Sequence, residues 1–469
     1  MLNKETYIRR RSELLRRLSG ESGVALFIGN TDSPAQYADN CYKWRQDSTW
    51  LYLFGIDKPG LAAVIDLESG KTTLFGDDPT IDDIIWNGPE PSTADLAAMS
   101  GIEHSEAYGA LQQAIDGRKV HFIPVSRYHN AVTLSNLIGI KPEEAFKAGK
   151  GACPKASLPL TKAVIELRLR KDAEEIALID EACVLGQEMH RIARAGIKPG
   201  VIEQDIVGRM EGYALAKGWG VSFPTILTQH GEVFHCHSHN LAIEPGKLMV
   251  IDAGLESNEH YASDFTRTYP TSGRWSSKQR EIYQIVYECN ELAYSITRPG
   301  IAYRDVHIRT MEHMLTRLGE LGIVCGDPVE MVHDGLAGLF CPHGLGHNMG
   351  LDVHDMEDYG ENLVGYGEGQ ERSSQLGLGS LRMARVLEEG NVVTDEPGIY
   401  FIPALIDLWK KEGVGGGRIN YDKLQAEYLD FGGIRLEDDI LVTADGARRL
   451  GGERLAASPD EIEEAMAND

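Results

Sequence analysis

Five short segments in the second half of the chain each place an acid or a histidine at the end of an apolar or β-prone run. They are Val250-Ile-Asp-Ala-Gly254, Ser263-Asp-Phe-Thr-Arg267, His343-Gly-Leu-Gly-His347, Asp395-Glu-Pro-Gly398 and Ile434-Arg-Leu-Glu437. A side chain at the end of a rigid strand can be aimed into a cleft, which a metal ligand requires. Asp252 closes the run Leu248-Met-Val-Ile251 and Asp264 lies in the run Tyr261 to Tyr269, so a strand, a turn and a returning strand bring the two carboxylates together. Glu396 follows Asn391-Val-Val-Thr394 and Glu437 precedes Ile440-Leu-Val-Thr443, which predicts a second strand pair with two more carboxylates. With His347 this is a hard, oxygen-rich set, suited to two divalent ions of the Mn²⁺ type and compatible with Zn²⁺, Co²⁺ or Fe²⁺. Two such ions roughly 3.5–4 Å apart polarise a carbonyl and activate water, so the predicted chemistry is hydrolysis. Any one of these residues alone reads as an ordinary turn or cap. Their joint order is the signal.

The elements that must hold them fit a globular chain. At 469 residues, 42% of them hydrophobic, the sequence can build two or three domains with real cores. A formal charge of −25 argues against nucleic-acid and anionic-membrane partners, because phosphate binding needs clustered Lys and Arg. No apolar run approaches the ~20 residues of a membrane span, and the first twenty residues are polar and basic, so the expected location is cytoplasmic. Seven cysteines form no CxxC pair, which fits reduced, inert thiols. Cys236 and Cys341 flank the candidate ligands, and a soft ligand there is conceivable.

Residues 5–19 predict an amphipathic helix, and Val24–Ile28, Thr49–Phe54, Leu61–Leu67, Lys71–Phe75 and Val120–Pro124 predict strands, the third and fourth joined as a hairpin at Glu68-Ser-Gly70. This mixture predicts an α/β domain over residues 1–155, with the small-residue stretch Gly149 to Ser157 as the boundary. In residues 156–469, Asp172 and Glu175 have capping-box spacing before apolar Ile176, Ile179 and Cys183. A similar helix begins near Arg280, about 104 residues on, an echo that suggests two related halves. The loop from Asp355 to Arg382, which includes Gly365-Tyr-Gly-Glu-Gly369, is polar and reads as a surface flap; Leu405 to Tyr428 reads as an insertion, and the tail from Pro459 as a solvated helix.

The motif series, extended by Gly350-Leu-Asp-Val-His-Asp355, Glu-Pro-Gly-Ile-Tyr400 and Gly433-Ile-Arg-Leu-Glu-Asp-Asp439, resembles that of the pita-bread metallopeptidases (M24). Within them it is most similar to the proline-specific branch of Xaa-Pro dipeptidases (prolidases) and aminopeptidases P. Trp44-Arg-Gln-Asp-Ser48 resembles the amino-terminal creatinase/prolidase-like domain of that branch. The resemblance implies an α/β (α+β) architecture, with that domain followed by a pita-bread catalytic domain. It implies Asp252, Asp264, His347, Glu396 and Glu437 as ligands of two metal ions, and a peptide substrate with proline second. His235 and His354 would stabilise the tetrahedral intermediate, and Glu396 would move the proton. Spacing to Asp252 selects His235 over its neighbours His237 and His239. His343, Arg382, Arg435 and Trp86 would contact substrate, Arg382 by binding a dipeptide's free carboxylate and Trp86 by reaching over the site of a neighbouring subunit in a dimer or larger assembly. The alternatives to a dipeptidase are an aminopeptidase for longer peptides and a silent binding protein on the same fold. The sequence departs from the pattern in three places: the Asp252 to Asp264 spacing is one residue longer, Asp395 replaces an apolar residue, and Asn348-Met349 replaces a bulkier apolar pair. The longer hairpin is expected to leave the site intact.

Overall fold

The structure is a computed structural model that describes residues 2–367 and 370–469. It divides into two compact units: residues 1–168 with 356–364, and residues 169–355 with 365–469. The first unit runs past the expected 155/156 boundary because the helix Leu158–Arg168 packs into it, with the Arg168 guanidinium donating to Thr49 Oγ1 at 2.7 Å.

In the first unit, helix α1 (Lys4–Arg17) precedes strand β1 (Val24–Ile28), helix α2 (Ser48–Phe54), strands β2 (Ala62–Asp66) and β3 (Thr72–Phe75), helix α3 (Ile81–Asn87), and strands β4 (His104–Glu106) and β5 (Val120–His121). The strands form one sheet in the order β4-β3-β2-β1-β5, with β2 and β3 antiparallel as the hairpin spacing predicts. Thr49–Phe54 is not a strand. Asp47 caps it by accepting from the Trp50 N–H at 2.8 Å, Gly55 ends it with φ 65°, and all seven residues of α2 are buried.

The second unit repeats one plan twice. Helix α4 (Ala173–Gly196), α5 (Glu203–Lys217) and strands β6 (Ile226–Thr228), β7 (Leu248–Ala253) and β8 (Phe265–Pro270) form the first half. The second has helices α6 (Ser277–Ile296) and α7 (Tyr303–Glu320) with strands β9 (Val392–Asp395), β10 (Gly398–Tyr400), β11 (Gly433–Arg435) and β12 (Asp438–Val442). Capping boxes start α4 at Asp172 and α6 at Ser276, 276 − 172 = 104 residues apart, as the echo predicts. The helix pairs are tied to their strands by matching hydrogen bonds. In the first half these are Gly200 N–H to Ile243 O, Ile243 N–H to Val201 O and Glu203 N–H to Leu241 O; in the second, Gly300 N–H to Leu387 O, Leu387 N–H to Ile301 O and Tyr303 N–H to Arg385 O. Nine residues beyond Ile243 stands Asp252, and nine beyond Leu387 stands Glu396, so the repeat delivers a carboxylate to equivalent places.

Two surface elements are better anchored than the sequence suggests. The segment after Asp355 buries Tyr359, Val364 and Tyr366, with Tyr366 donating to Leu381 O at 2.9 Å, so it is a pinned strap and not an unanchored flap; Glu368 and Gly369 lie outside the described residues. The final helix, Pro459–Asn468, buries Ile462, and the Trp275 indole N–H donates to Pro459 O at 3.0 Å. Leu405 to Tyr428 is largely two helices, Pro403–Glu412 and Tyr421–Glu427, packed on each other. Among the described residues no helix is long and apolar enough to cross a membrane.

Candidate metal centre

Strand register brings four carboxylates and an imidazole to one place. Thr266 on β8 stands opposite Asp252 on β7, which sets Asp264 at the mouth of the same hairpin. Asp395 on β9 stands opposite Asp438 on β12, so Glu396 and Glu437 flank the second pair. A bridge from Glu437 N–H to Thr266 O at 3.0 Å locks the two pairs together. In the turn between Asp252 and Asp264, His260 adopts φ 67° and meets the Glu256 carboxylate at 2.5 Å.

Asp264, His347 and Glu437 have ligand atoms within 4.8 Å of one another, all three residues buried. The His347 Nε2 is 3.4 Å from Asp264 Oδ2 and 3.8 Å from Glu396 Oε1. Its Nδ1–H donates to Asn348 O at 3.0 Å, which sets the tautomer and turns Nε2 toward the carboxylates, as metal-bound histidines require. His347 is further held because its N–H donates to Thr394 Oγ1 at 3.1 Å.

The electrostatics fit a cation site. Burial raises the Asp264 carboxyl well above its ordinary value, and the negative charges of Asp252, Asp439 and Glu396 add to the shift. Glu437 is pushed up in the same way, first by burial and then by Asp264, Glu396 and Asp252. Glu396 is raised by burial too, although His347 and Arg435 oppose the shift. Asp264 Oδ1 is buried with no hydrogen-bond partner. Buried like charges without counter-charge are costly, and divalent cations would supply it, so the donor set fits the expected metals.

Arg435, 4% exposed, spends its donors inside the chain: Nη2 on Asp252 Oδ2 at 2.5 Å, Nε on Thr266 Oγ1 at 3.1 Å and Nη1 on the Tyr400 hydroxyl at 2.8 Å. Thr266 in turn donates to Glu437 Oε2 at 2.7 Å. These groups orient the candidate ligands Asp252 and Glu437. The His343 Nδ1–H donates to Gly344 O at 2.8 Å, and its Nε2 receives the Tyr400 hydroxyl at 2.9 Å. Burial first, then the Arg435 charge, pushes the His343 imidazole down to about 3, so it is neutral near pH 7. Tyr400 thus links Arg435 to His343. It was legible only as the last letter of Glu-Pro-Gly-Ile-Tyr, with no signal of this role.

The His354 ring lies 4.2 Å from that of His347, centroid to centroid. His235 is exposed, and partial burial lowers its pKa while the charge of Asp252 opposes the shift. His239 is buried with Nδ1 at 3.0 Å from Leu227 O, a structural role. Arg382 is half-buried, and its charge is felt at His343 and Glu396 as well as at His235. Asp395 is fully buried with both carboxyl oxygens unpartnered, and burial raises it well above the usual range, the charges acting on it most strongly being those of Arg449, Asp438, Arg454 and Glu291. The Cys341 thiol is pushed up to about 12 by burial, so it is a poor ligand at neutral pH. All seven cysteines are free.

Residues 177–444 match the description "Metallopeptidase family M24", and residues 7–119 match "Aminopeptidase P, N-terminal domain". The chain belongs to the M24 metallopeptidase family, with the two-domain architecture of an aminopeptidase P-type amino-terminal domain and an M24 catalytic domain. It is 30% identical to an Xaa-Pro dipeptidase of Rattus norvegicus, with 95% of this chain and 89% of the relative covered. It is 29% identical to an Xaa-Pro aminopeptidase of Escherichia coli K12, covering 99% of this chain and 98% of the relative. Among solved structures, Escherichia coli aminopeptidase P in complex with substrate superimposes with a TM-score of 0.79 at 26% identity, over 100% of this chain and 99% of that one.

Proposed function

We propose that this metallopeptidase hydrolyses the bond between an amino-terminal residue and a following proline, and that its preferred substrate is the Xaa-Pro dipeptide. The reading is supported by Asp264, His347 and Glu437, whose ligand atoms lie within 4.8 Å of one another, with Glu396 beside His347 and Asp252 at the end of the neighbouring strand. Two divalent ions, Mn²⁺ being favoured by the oxygen-rich donors, would supply Lewis acidity at the scissile carbonyl and lower the pKa of water. Glu396, half-buried beside His347, carries a proton toward the leaving nitrogen. His354 and His235 donate hydrogen bonds to the carbonyl oxygen as negative charge develops there. Arg435 holds Asp252 in place throughout, and neutral His343 keeps its ring fixed against Tyr400. A bond before proline lacks an amide N–H, so a peptidase for it must recognise the ring instead of a donor.

The preference for dipeptides rests on Arg382, whose charge acts on His235, His343 and Glu396 and whose guanidinium fork suits a terminal carboxylate. The aminopeptidase reading is kept because relatives of both names align along nearly the whole chain. Rates on Xaa-Pro and Xaa-Pro-Yaa-Zaa, for wild type and Arg382→Ala, separate the two. The dipeptidase reading expects Arg382→Ala to cost about 2–3 kcal/mol in kcat/KM on the dipeptide and far less on the tetrapeptide; an equal loss on both, or none, favours the aminopeptidase.

A further inference from the structure

We propose that Lys171 and Asp355 are positioning residues that set where His354 stands, an inference that rests on the role given to His354 above. Lys171 Nζ donates to Asp355 Oδ2 at 3.1 Å, and each side chain is only 1% exposed. A buried ion pair gains little stability over an apolar pair of the same volume, so its presence calls for another reason. Geometry supplies one. Asp355 closes the loop that begins at the ligand His347: its N–H donates to Asn348 O at 3.0 Å, and its Oδ1 accepts the Asp352 N–H at 3.3 Å. His354 is the residue just before this anchor. The other partner, Lys171, is itself fixed, because its N–H donates to Gly390 O at 2.8 Å and the neighbouring Leu169 O accepts Asn391 Nδ2 at 2.9 Å. Gly390 and Asn391 lead directly into β9, the strand that ends at Glu396. The pair therefore ties the loop of His354 to the strand of a ligand.

Gly350 packs over the pair so closely that an added Cβ would come within 2.7 Å of Asp355 Oδ2 and 3.0 Å of Lys171 Cε. The loop crosses the ion pair at a fixed height, and the 4.2 Å separation of the His354 and His347 rings follows from it.

A double-mutant cycle on the metal-loaded enzyme tests this, with Lys171→Met and His354→Ala made singly and together and an Xaa-Pro dipeptide as the probe. Lys171→Met is expected to lower kcat about 10- to 100-fold with KM within about twofold and metal content unchanged. In the His354→Ala background the same change should cost less than about twofold, because the residue it positions is gone. Lys171→Arg should recover most of the rate. If Lys171→Met folds poorly, Asp355→Asn, which keeps the shape and the Asp352 contact, is expected to show the same coupling. Additive losses, a rise in KM alone, or lost metal would overturn the inference while leaving His354's role standing. Full kcat in His354→Ala would overturn both.

Discussion

At the scale of single residues, the ligand pocket concentrates cost and function in the same atoms. Asp264 and Glu437 are buried carboxyls, and burial together with their mutual charge repulsion raises both well above the ordinary carboxyl range. Truncating either should therefore abolish turnover without unfolding the chain, since the metal-free protein loses a buried like charge when the side chain goes. Asp264→Ala and Glu437→Ala are expected to melt cooperatively, yet to gain little from added Mn²⁺, whereas wild type at a thousandfold excess over Kd gains about 4 kcal/mol. Near-normal rates from either purified variant would defeat the two-metal reading. His307 on α7 is a buried titrating group far simpler to read. Burial alone pushes its imidazole down to about 4, and its Nδ1 has no partner. The unfolded chain binds a proton there from about pH 6.5 downward while the folded chain does not until about 4, so folding stability falls across that window. The loss amounts to about 3 kcal/mol when complete, at 1.4 kcal/mol for each unit of pKa. Urea unfolding of His307→Gln should lack this contribution, and its stability relative to wild type should improve between pH 7.5 and pH 5.

Elements decide whether those residues meet. The motif His343-Gly-Leu-Gly-His347 needs its second glycine for a definite reason: a Cβ at Gly346 would lie 2.1 Å from Thr394 O and 2.8 Å from Thr394 Oγ1. Thr394 is the residue that accepts the His347 N–H, so Gly346→Ala should push the loop off β9 and carry His347 with it. Metal affinity measured by titration is expected to fall about 10- to 100-fold, and recovery of wild-type affinity would show that the loop can yield. The same elements explain what was legible. Acids at the ends of apolar runs, the capping box at Asp172 and the Glu68-Ser-Gly70 hairpin are local signals, and the structure contains each element they predict. Thr49–Phe54 misleads because a helix buried on every side has no polar stripe, so its aromatic and aliphatic residues read like a strand. Tyr359 and Tyr366 were hidden in a polar stretch whose glycines outweighed its anchors. Tyr400 could not be found at all, since its partners Arg435 and His343 lie far along the chain.

At the scale of the whole molecule, α3 is the element that a single chain leaves unexplained. Trp86 sits on a seven-residue helix capped at Thr80, with no residue of that helix buried. Ile81 is 71% exposed, Ile85 70% and Trp86 85%. An indole with two isoleucines beside it forms an apolar face that water solvates poorly, and such a face favours cover from another protein surface. From the family resemblance we propose that the occupant is a second copy of this chain, whose substrate cleft would receive the indole. On that reading the protein assembles as a dimer or larger oligomer, and Trp86 closes a cleft that small substrates would otherwise leave open. Trp86→Ala is then expected to raise KM for Xaa-Pro dipeptides by about tenfold, equivalent to about 1.4 kcal/mol, with bound metal and Tm preserved. Sedimentation should find wild type as a dimer or larger and the variant shifted toward monomer. A wild-type enzyme that is monomeric and fully active at nanomolar concentration would rule the arrangement out.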